Sequence, residues 1–368
     1  MKITGKYNTA IVYTDNIDTG AISQIIELCN QEFVKGSTIR IMPDVHTGIG
    51  CTIGTTMTIS DKVVPNLVGV DIGCGIETVK LKDKNIDLKK LDRIIHEFIP
   101  AGFDIRKKPH RYVGYIDFDR LACKKHIDLK RAQLSIGTLG GGNHFIEVNK
   151  DQKGDLYLVV HSGSRHLGKQ VAEYYQQLAY EELKRKGISN VKKHLAYLEG
   201  KNFRNYLNDM KIVQKYAAYN RKAIVDEIMD RLGLEKEEQF TTIHNYIDMD
   251  NMILRKGAIS AQKGEKVLIP INMRDGSLIC IGKGNKAWNY SAPHGAGRIM
   301  SRRQAKKNIS LEEFKKSMEG IYTTTVNKHT IDESPYAYKP MEEIIKNIKD
   351  TVELVHIIRP VYNFKASK

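Results

Sequence analysis

Helical periodicity marks four stretches of this chain. In residues 17–29, 88–95, 171–186 and 205–232, apolar side chains recur at the intervals that place them on one face of an α-helix. The last stretch has the longest stripe, which consists of Leu207, Met210, Val213, Ala217, Ile224, Ile228 and Leu232. We predict scaffold helices here and assign them no chemistry.

Other stretches carry the patterns of strands. Residues 76–81 alternate between apolar and polar side chains, which is typical of a half-buried strand. Residues 156–161 are almost continuously apolar and predict a buried strand. Strands are also predicted at 55–60, 240–247 and 278–281, so the chain interleaves strands and helices along its length.

Composition narrows the class of protein. A chain of 368 residues with 41% hydrophobic and 27% charged residues is typical of a globular protein with one large domain or two ordinary ones. It has no run of about 18 apolar residues, and its start lacks the apolar core of an export signal, so we expect a cytoplasmic protein without a membrane span. The five cysteines never form a Cys-x-x-Cys pair, which indicates reduced thiols.

The net charge suggests a class of partner. A formal charge of +15 favours a polyanion, nucleic acid first, although a merely soluble basic surface is the alternative. The basic cluster at residues 106–111 has the same two interpretations, either a contact with RNA phosphates or a solvated loop.

A glycine-rich corner at residues 69–75 is the first candidate for chemistry. It follows an apolar run at 63–68, and we expect it to connect two strands. Asp71 supplies a hard carboxylate and Cys74 a soft thiolate, a mixture that suits a borderline divalent ion, and a thiolate can bridge two ions. On this stretch alone, a small buried cysteine in a turn is the favoured interpretation.

Histidines near the ends of predicted strands reverse that preference. His144 follows a glycine-rich loop at 137–142, His161 ends the buried strand, and His244 lies in another β-rich run. Together with the carboxylate and thiol of the corner, they could hold two ions of the Mn(II) or Zn(II) class. The glycine loop is neither a Walker loop nor a dinucleotide fingerprint, because no helical pattern follows it.

Asp44 and His46 form a weaker signal. In an extended segment both side chains would point the same way, and they form either a carboxylate–imidazole pair or a turn. The turn is the favoured interpretation.

His294 is a candidate nucleophile. It stands between a proline and a glycine, and an imidazole nitrogen can attack phosphorus and leave again because a phosphoramidate is reactive. Arg298 and Arg302 follow and could neutralise phosphates, although a helix start with cationic decoration is the alternative. The competing nucleophile is a lysine such as Lys283 or Lys286.

Five motifs, in this order, resemble the RtcB family of RNA-splicing ligases. They are Val-Gly-Val-Asp-Ile-Gly-Cys-Gly (68–75), Gly-Thr-Leu-Gly-Gly-Gly-Asn-His-Phe-Ile-Glu (137–147), Val-His-Ser-Gly-Ser-Arg (160–165), His-Asn-Tyr (244–246) and Ser-Ala-Pro-His-Gly-Ala-Gly-Arg (291–298). The resemblance runs from about residue 40 to the C-terminus. It implies a single α+β domain over residues 1–368, with an RtcB-type fold in which helices flank a central β-sandwich.

The resemblance also implies an activity. Members of the family join RNA ends that bear a 2′,3′-cyclic phosphate or 3′-phosphate to 5′-hydroxyl ends, in tRNA splicing or RNA repair, with GTP and two Mn(II) ions as cofactors. RNA and GTP are the implied partners, and an activating protein is a further one. Three alternatives stay open: a metal-dependent phosphodiesterase, an enzyme that caps RNA 3′-phosphates without sealing them, and a non-enzymatic RNA-binding protein.

Roles for single residues follow from the same resemblance. The implied metal ligands are Asp71, Cys74, His144, His161 and His244, with Cys74 bridging both ions, and His294 matches the guanylylated histidine. The implied guanine-nucleotide contacts are Asn143, Glu147, Asn272, Ser277, His294, Gly295, Gly297, Tyr338 and Lys365. Arg165, Arg298 and Arg302 match the RNA or phosphate path. Asn272 stands where many members carry serine, and the chain extends past Lys365.

Overall fold

A computed structural model describes residues 1–366, which contain eight α-helices and fifteen β-strands. The helices are α1 (Thr19–Cys29), α2 (Leu88–Phe98), α3 (Leu129–Ser135), α4 (Arg165–Arg185), α5 (Gly200–Leu232), α6 (Arg302–Asn308), α7 (Leu311–Ser317) and α8 (Met341–Ile348). The strands are β1 (Lys2–Thr4), β2 (Thr9–Val12), β3 (Ile39–His46), β4 (Ile53–Thr58), β5 (Lys62–Val63), β6 (Gly75–Leu81), β7 (Phe145–Lys150), β8 (Leu156–Ser162), β9 (Leu198–Glu199), β10 (Lys236–Asp248), β11 (Ile253–Ser260), β12 (Lys266–Asn272), β13 (Gly276–Gly282), β14 (Ser291–Pro293) and β15 (Val352–Phe364).

Local chemistry sets several helix boundaries. Asp18 accepts a hydrogen bond from the backbone N–H of Ala21 at the start of α1, and Asp87 does the same for Lys90 at the start of α2. The long helix α5 ends at Gly233, whose φ of 68° lies in the left-handed region that favours glycine. The helices predicted from periodicity are confirmed, although α4 and α5 begin several residues earlier than the pattern indicates.

Most of the described strands form one hydrogen-bonded sheet. Its order is β1-β2-β3-β4-β11-β10-β6-β8-β7-β15-β13-β12, and β14 pairs with β11. The pairs are antiparallel except for β2 and β3, and β5 pairs separately with β9. The consecutive strands β7 and β8 therefore lie side by side in the middle of the sheet with β6 and β10, which are far from them in sequence.

The sheet folds back on itself. Side chains from β6, β7 and β8 pack against side chains from β12, β13 and β15 in one apolar cluster, which consists of Ile76, Phe145, Tyr157, Val159, Leu268, Ile279 and Ile358. The backbone N–H of Leu268 also donates to Oγ1 of Thr242 in β10 at 3.0 Å. The observed class is a mixed α/β domain in which one large sheet supplies both packed layers.

Helix α5 supports the middle of the sheet from its other face. Ile224, Val225 and Ile228 of α5 lie in one buried cluster with Val79 of β6 and Leu158 of β8. Burial of apolar surface between helix and strands stabilises this arrangement. The helix therefore fixes the strands whose ends hold the candidate site.

One strand prediction is wrong. The apolar run at 63–68 is not a strand leading into the glycine-rich corner, because a 3₁₀ helix at Pro65–Leu67 follows the two-residue strand β5. The proline at the first helical position fits that turn, since it lacks a backbone N–H to donate to a sheet. Within residues 1–366, every helix is too short or too polar to cross a membrane.

Candidate active site and metal centre

The predicted metal ligands meet where neighbouring strands in the middle of the sheet begin or end. Cys74 directly precedes β6, His144 directly precedes β7, and His161 lies near the end of β8, where it pairs with Ile76. His244 of β10 joins them because its backbone N–H donates to the Cys74 carbonyl at 2.8 Å. Antiparallel pairing places the starts of β6 and β7 beside the end of β8, so the sheet order itself assembles the cluster.

The side-chain atoms of these residues converge. Sγ of Cys74 lies 3.4 Å from Nε2 of His144 and 3.3 Å from Nε2 of His161, and the latter atom lies 3.3 Å from Nε2 of His244. Oδ2 of Asp71 lies 3.0 Å from Nε2 of His144. The ligand atoms form two groups, Asp71–Cys74–His144 and Cys74–His161–His244. Because Cys74 belongs to both groups, the arrangement fits two ions that share a thiolate.

Hydrogen bonds on the far side of the rings orient two of the histidines. Nδ1 of His144 lies 2.9 Å from the Leu139 carbonyl, and Nδ1 of His161 lies 3.1 Å from the Asn143 carbonyl. A carbonyl only accepts, so each Nδ1 donates and each Nε2 presents a lone pair to the cluster. Nδ1 of His244 is buried without a hydrogen-bond partner in the described part of the chain.

Buried contacts fix the corner that carries Asp71. The backbone N–H and hydroxyl of Ser164 donate to Oδ1 of Asp71 at 2.9 and 3.2 Å, which leaves Oδ2 facing the cluster. Arg221 of α5 has no exposed surface and donates to the carbonyls of Gly73 and Ser162 at 2.8 and 3.1 Å. The φ of Gly73, 71°, lies in the region that favours glycine, so the tight corner requires this residue.

Burial and neighbouring charges set the protonation of the ligands. Burial lowers the pKa of His161 and of His244 well below the usual range, so both rings are neutral at pH 7. Burial alone would raise the pKa of Asp71, but the hydrogen bond and charge of His144, when that ring is protonated and no ion is bound, lower it overall. Burial raises the pKa of the Cys74 thiol, and a bound cation would displace its proton.

His294 stands beside this cluster, directly after β14. Its ring centroid lies 4.8 Å from that of His244. Nδ1 of His294 lies 2.6 Å from Oδ2 of Asp44, which also accepts the backbone N–H of His294 at 3.1 Å. Asp44 has no exposed surface, whereas 17% of the His294 side chain is exposed. The buried carboxylate therefore favours a proton on Nδ1 and a lone pair on Nε2, which is the form that a nucleophilic imidazole requires.

The turn predicted around Asp44 and His46 is wrong. Both residues lie in β3, and Nδ1 of His46 bonds to the backbone carbonyl of Asp44 rather than to its carboxylate, at 2.9 Å. The carboxylate is available to His294 because β3 runs past the loop that follows β14. The carboxylate–imidazole pair considered from the sequence joins residues two apart, whereas the observed partner of Asp44 is 250 residues away.

A cavity of about 640 Å³ opens next to His294. This volume is in the range of small-molecule sites. Its lining includes most of the predicted nucleotide and phosphate contacts: Asn143, Glu147, Asn272, His294, Gly295, Gly297, Arg298, Arg302, Tyr338 and Lys365. His161 also lines it, so the cavity and the ligand cluster are continuous.

Glu333 joins four of these side chains at the cavity wall. Its Oε2 accepts from the Tyr338 hydroxyl at 2.7 Å and from Nζ of Lys365 at 2.9 Å. Its Oε1 accepts from Arg302 at 2.6 Å and lies 3.5 Å from Nη1 of Arg298. Burial alone would raise the pKa of Glu333, but the surrounding positive charges lower it to about 2. The ionised carboxylate thus holds the donors in place, and sequence reasoning gave it no role.

Glu147 of β7 occupies another part of the wall. The side-chain amides of Asn149 and Asn363 donate to its carboxylate at 3.1 and 2.6 Å. Burial raises the pKa of Glu147 to about 7. When ionised, this group offers two adjacent acceptor oxygens to a ligand that enters the cavity.

Three predicted site residues depart from this pattern. Ser277 of β13 is fully buried outside the cavity lining, and its hydroxyl has no partner within residues 1–366. Arg165 also lies outside the lining and donates to the Gly102 carbonyl at 3.0 Å and the Thr138 hydroxyl at 3.2 Å. Asn272 lines the cavity, but its Oδ1 already accepts two backbone N–H groups of its own turn.

The fold and site define the class of protein first: a mixed α/β domain with a candidate dinuclear metal centre, an adjacent histidine that is a candidate nucleophile, and a cavity lined in part by arginine and lysine side chains. The sequence model of the family described as tRNA-splicing ligase RtcB matches residues 24–121 and 111–366. This chain belongs to the RtcB family.

Individual members of the family are similar in sequence to this chain over most of its length. The chain is 30% identical over 392 residues to the RNA-splicing ligase RtcB of Escherichia coli (strain K12), with 94% of each protein covered. It is 28% identical to the tRNA-splicing ligase RtcB of Aeropyrum pernix, with 96% of this chain and 94% of the relative covered. For the RNA-splicing ligase RtcB of Mycobacterium bovis the identity is 27%, with 83% and 91% covered.

Proposed function

We propose that this protein seals RNA ends bearing a 2′,3′-cyclic phosphate or 3′-phosphate to 5′-hydroxyl ends, through a GMP bound covalently to His294. Its membership of the RtcB family makes it an RNA ligase. The covalent route is supported by one observation above all: Asp44 engages Nδ1 of His294 at 2.6 Å, while the ring borders the cavity beside the ligand cluster.

The ligand cluster supports two divalent ions as cofactors, and we propose Mn(II). Asp71, Cys74 and His144 would hold one ion, and Cys74, His161 and His244 the other. Imidazole, carboxylate and thiolate together suit ions of this borderline class. When bound, such ions neutralise and polarise phosphate oxygens.

The cavity supports GTP as the nucleotide. The ring N–H and exocyclic amino group of guanine are adjacent donors, which a carboxylate such as that of Glu147 can accept together. Adenine presents an acceptor at the ring nitrogen of that edge, so an ionised Glu147 would disfavour it. Lys365, Arg298 and Arg302 are positioned on the wall to contact phosphates once these compete with Glu333.

The chain's own residues then define the steps. Nε2 of His294 attacks the α-phosphorus, a phosphorus–nitrogen bond forms, and pyrophosphate leaves. Asp44 keeps the proton on Nδ1 and stabilises the positive charge of the substituted ring. A 2′,3′-cyclic phosphate end must first be hydrolysed by water to a 3′-phosphate. An oxygen of the RNA 3′-phosphate then attacks the phosphorus of the bound GMP, the phosphorus–nitrogen bond breaks, and His294 is freed. The 5′-hydroxyl oxygen attacks that activated phosphate, and GMP leaves.

The wider assignments rest on the family resemblance. We propose that the folded-back sheet is the central sandwich of an RtcB-type domain that spans the chain. Arg298 and Arg302 would lie on the path of the RNA, and an activating protein partner would fit the same scheme.

Labelling with GTP tests the nucleophile. Incubation with α-labelled GTP and Mn(II) should label the wild-type protein, and peptide mapping should place the label within residues 291–298. His294→Ala should abolish the label, whereas the matched variant His126→Ala, an exposed histidine outside the cavity lining, should keep it. Lys283 and Lys286 also lie outside the lining, so neither should be labelled.

The products separate ligation from the alternatives. An RNA pair with a cyclic phosphate and a 5′-hydroxyl should yield one joined strand with GTP and Mn(II). Guanylylated RNA 3′ ends without a joined strand would indicate a capping enzyme instead. Label that persists in His294→Ala would show that another residue is the nucleophile.

A further inference from the structure

A surface formed by residues 101–115 carries exposed aromatic and cationic side chains that the proposed catalytic steps do not use. Phe103 is 84% exposed, Tyr115 is 56% exposed, and Lys107 and Lys108 are exposed between them. Single exposed apolar residues are common on soluble proteins, but two exposed aromatic rings that flank two exposed lysines in one short segment are not explained by packing. We call this surface the aromatic–basic face.

The face begins at the margin of the candidate active site. Ala101 forms a β-bridge with Gly140, and the backbone N–H of Gly102 donates to the Gly140 carbonyl at 2.9 Å. Gly140 belongs to the loop that leads to the cavity-lining Asn143 and to the ligand His144. Phe103 therefore directly follows the residues that border the glycine loop of the candidate site.

Contacts with the protein hold the backbone of the face while leaving its rings outward. Nη2 of Arg131 donates to the Phe103 carbonyl at 3.2 Å. At the other end, Tyr115 stacks on Tyr219 of α5, with ring centroids 5.3 Å apart and planes 10° apart. Nζ of the exposed Lys215 lies 5.9 Å from the centroid of the Tyr219 ring. The face is thus a fixed platform and not a loose loop.

Acidic side chains of the protein neutralise only part of the positive charge of the aromatic–basic face. Arg111 lies 3.7 Å from the Asp226 carboxylate, and Arg106 pairs with Glu227 at 3.1 Å. Within residues 1–366, Lys107 and Lys108 have no ion-pair partner. Positive charge next to exposed rings is the chemistry that single-stranded nucleic acid needs, because bases stack on aromatic rings and phosphates pair with cations.

We propose that the aromatic–basic face binds the single-stranded arm of the RNA whose end reacts in the cavity, with a base stacked on Phe103 and phosphates near Lys107 and Lys108. This inference rests on the proposed function, because it concerns where the RNA substrate of the candidate active site binds outside the cavity. Stacking reads no base identity, so the face would bind arms of any sequence. A protein partner is disfavoured because the segment between the two exposed rings carries the exposed charges of Lys107 and Lys108, and lysine is depleted in protein–protein interfaces.

Equilibrium binding of a fluorescent single-stranded RNA to the full-length protein tests the face. Phe103→Ala should weaken binding roughly 5- to 150-fold, the range expected for one lost stacked base, and Phe103→Tyr should restore it. Lys107→Gln/Lys108→Gln should reduce the slope of log affinity against log salt by up to about 1.4, since each single-strand phosphate contact contributes roughly 0.7. Lys315→Gln/Lys316→Gln, an exposed pair on α7, removes the same charge elsewhere and should leave the slope nearly unchanged.

Self-guanylylation separates this inference from the proposed function. Phe103→Ala should label with GTP like the wild type, because no residue of the face lines the cavity. If Phe103→Ala binds RNA as tightly as the wild type, while labelling and sealing are intact, the proposed RNA-binding role of the aromatic–basic face is wrong. The ligase assignment would be unaffected by that result. The same result would point to a protein ligand for Phe103. Failure of wild-type labelling and sealing, with the Phe103 effect on RNA binding present, would instead contradict the proposed chemistry alone.

Discussion

Asp44→Asn is the substitution that most directly tests how His294 is activated. The asparagine keeps the size of the buried side chain, and its amide oxygen can still accept from Nδ1, but the negative charge is lost. The native contact is 2.6 Å long and fully shielded from solvent on the Asp44 side. Asp44 also accepts the backbone N–H of His294 at 3.1 Å, so the variant should preserve the position of the loop.

The expected decrease in the guanylylation rate follows from the charge of the Asp44–His294 hydrogen bond. A hydrogen bond to a charged group is worth about 1.5–3 kcal/mol. If that energy is realised as positive charge develops on the ring, the guanylylation rate should fall roughly 10- to 150-fold, because about 1.4 kcal/mol corresponds to a factor of ten. GTP affinity should change much less, since Asp44 contacts the nucleophile and is not part of the cavity lining.

Single-turnover labelling with saturating α-labelled GTP measures this rate, and a thermal melt confirms that the variant is folded. Asp61→Asn, whose side chain is 75% exposed, serves as the matched control and should react like the wild type. A folded Asp44→Asn protein that guanylylates at the wild-type rate would refute the idea that the carboxylate activates His294.

Three further predictions concern the metal ligands, the phosphate path and pH. Cys74→Ala should abolish guanylylation and lower the bound Mn(II) measured by metal analysis, because the thiol belongs to both ligand groups; full activity with normal metal content would exclude a bridging role. Arg302→Gln should weaken RNA sealing more than self-guanylylation and reduce the salt dependence of RNA binding by at most about one unit of slope, whereas an unchanged slope would make this arginine structural. GMP affinity should rise as the pH increases from 6 to 8, because burial raises the pKa of Glu147 to about 7 and the protonated form that dominates below that pH cannot accept both guanine donors. Glu147→Gln should remove this pH dependence, and an affinity that falls with rising pH would contradict the assignment.

The sequence by itself determined the local elements and much of the ligand set. Periodicity predicted the helices now seen as α1, α2, α4 and α5, because spacing along one face is a local property. The resemblance, which covers residues from about 40 onward, singled out the five side chains that converge and the histidine beside them. Their residue types suggested a two-ion site before the resemblance was considered, but spacing alone did not require them to meet, since the ligands are spread over residues 71–244.

Only the tertiary structure decided which groups act together. The pairing order of β10, β6, β8 and β7 brings the ligand-bearing positions of these strands and their adjoining loops together, and no local pattern encodes that order. Asp44 meets His294 across 250 residues, and Glu333 contacts Arg302 of α6, Arg298 of the preceding loop and Lys365 near the end of the described chain. Such partners are fixed by the path of the whole chain, because a buried carboxylate pairs with whichever cation or donor the fold places beside it. Ser277 matches the family pattern in sequence, but the path of the folded chain places it outside the cavity lining.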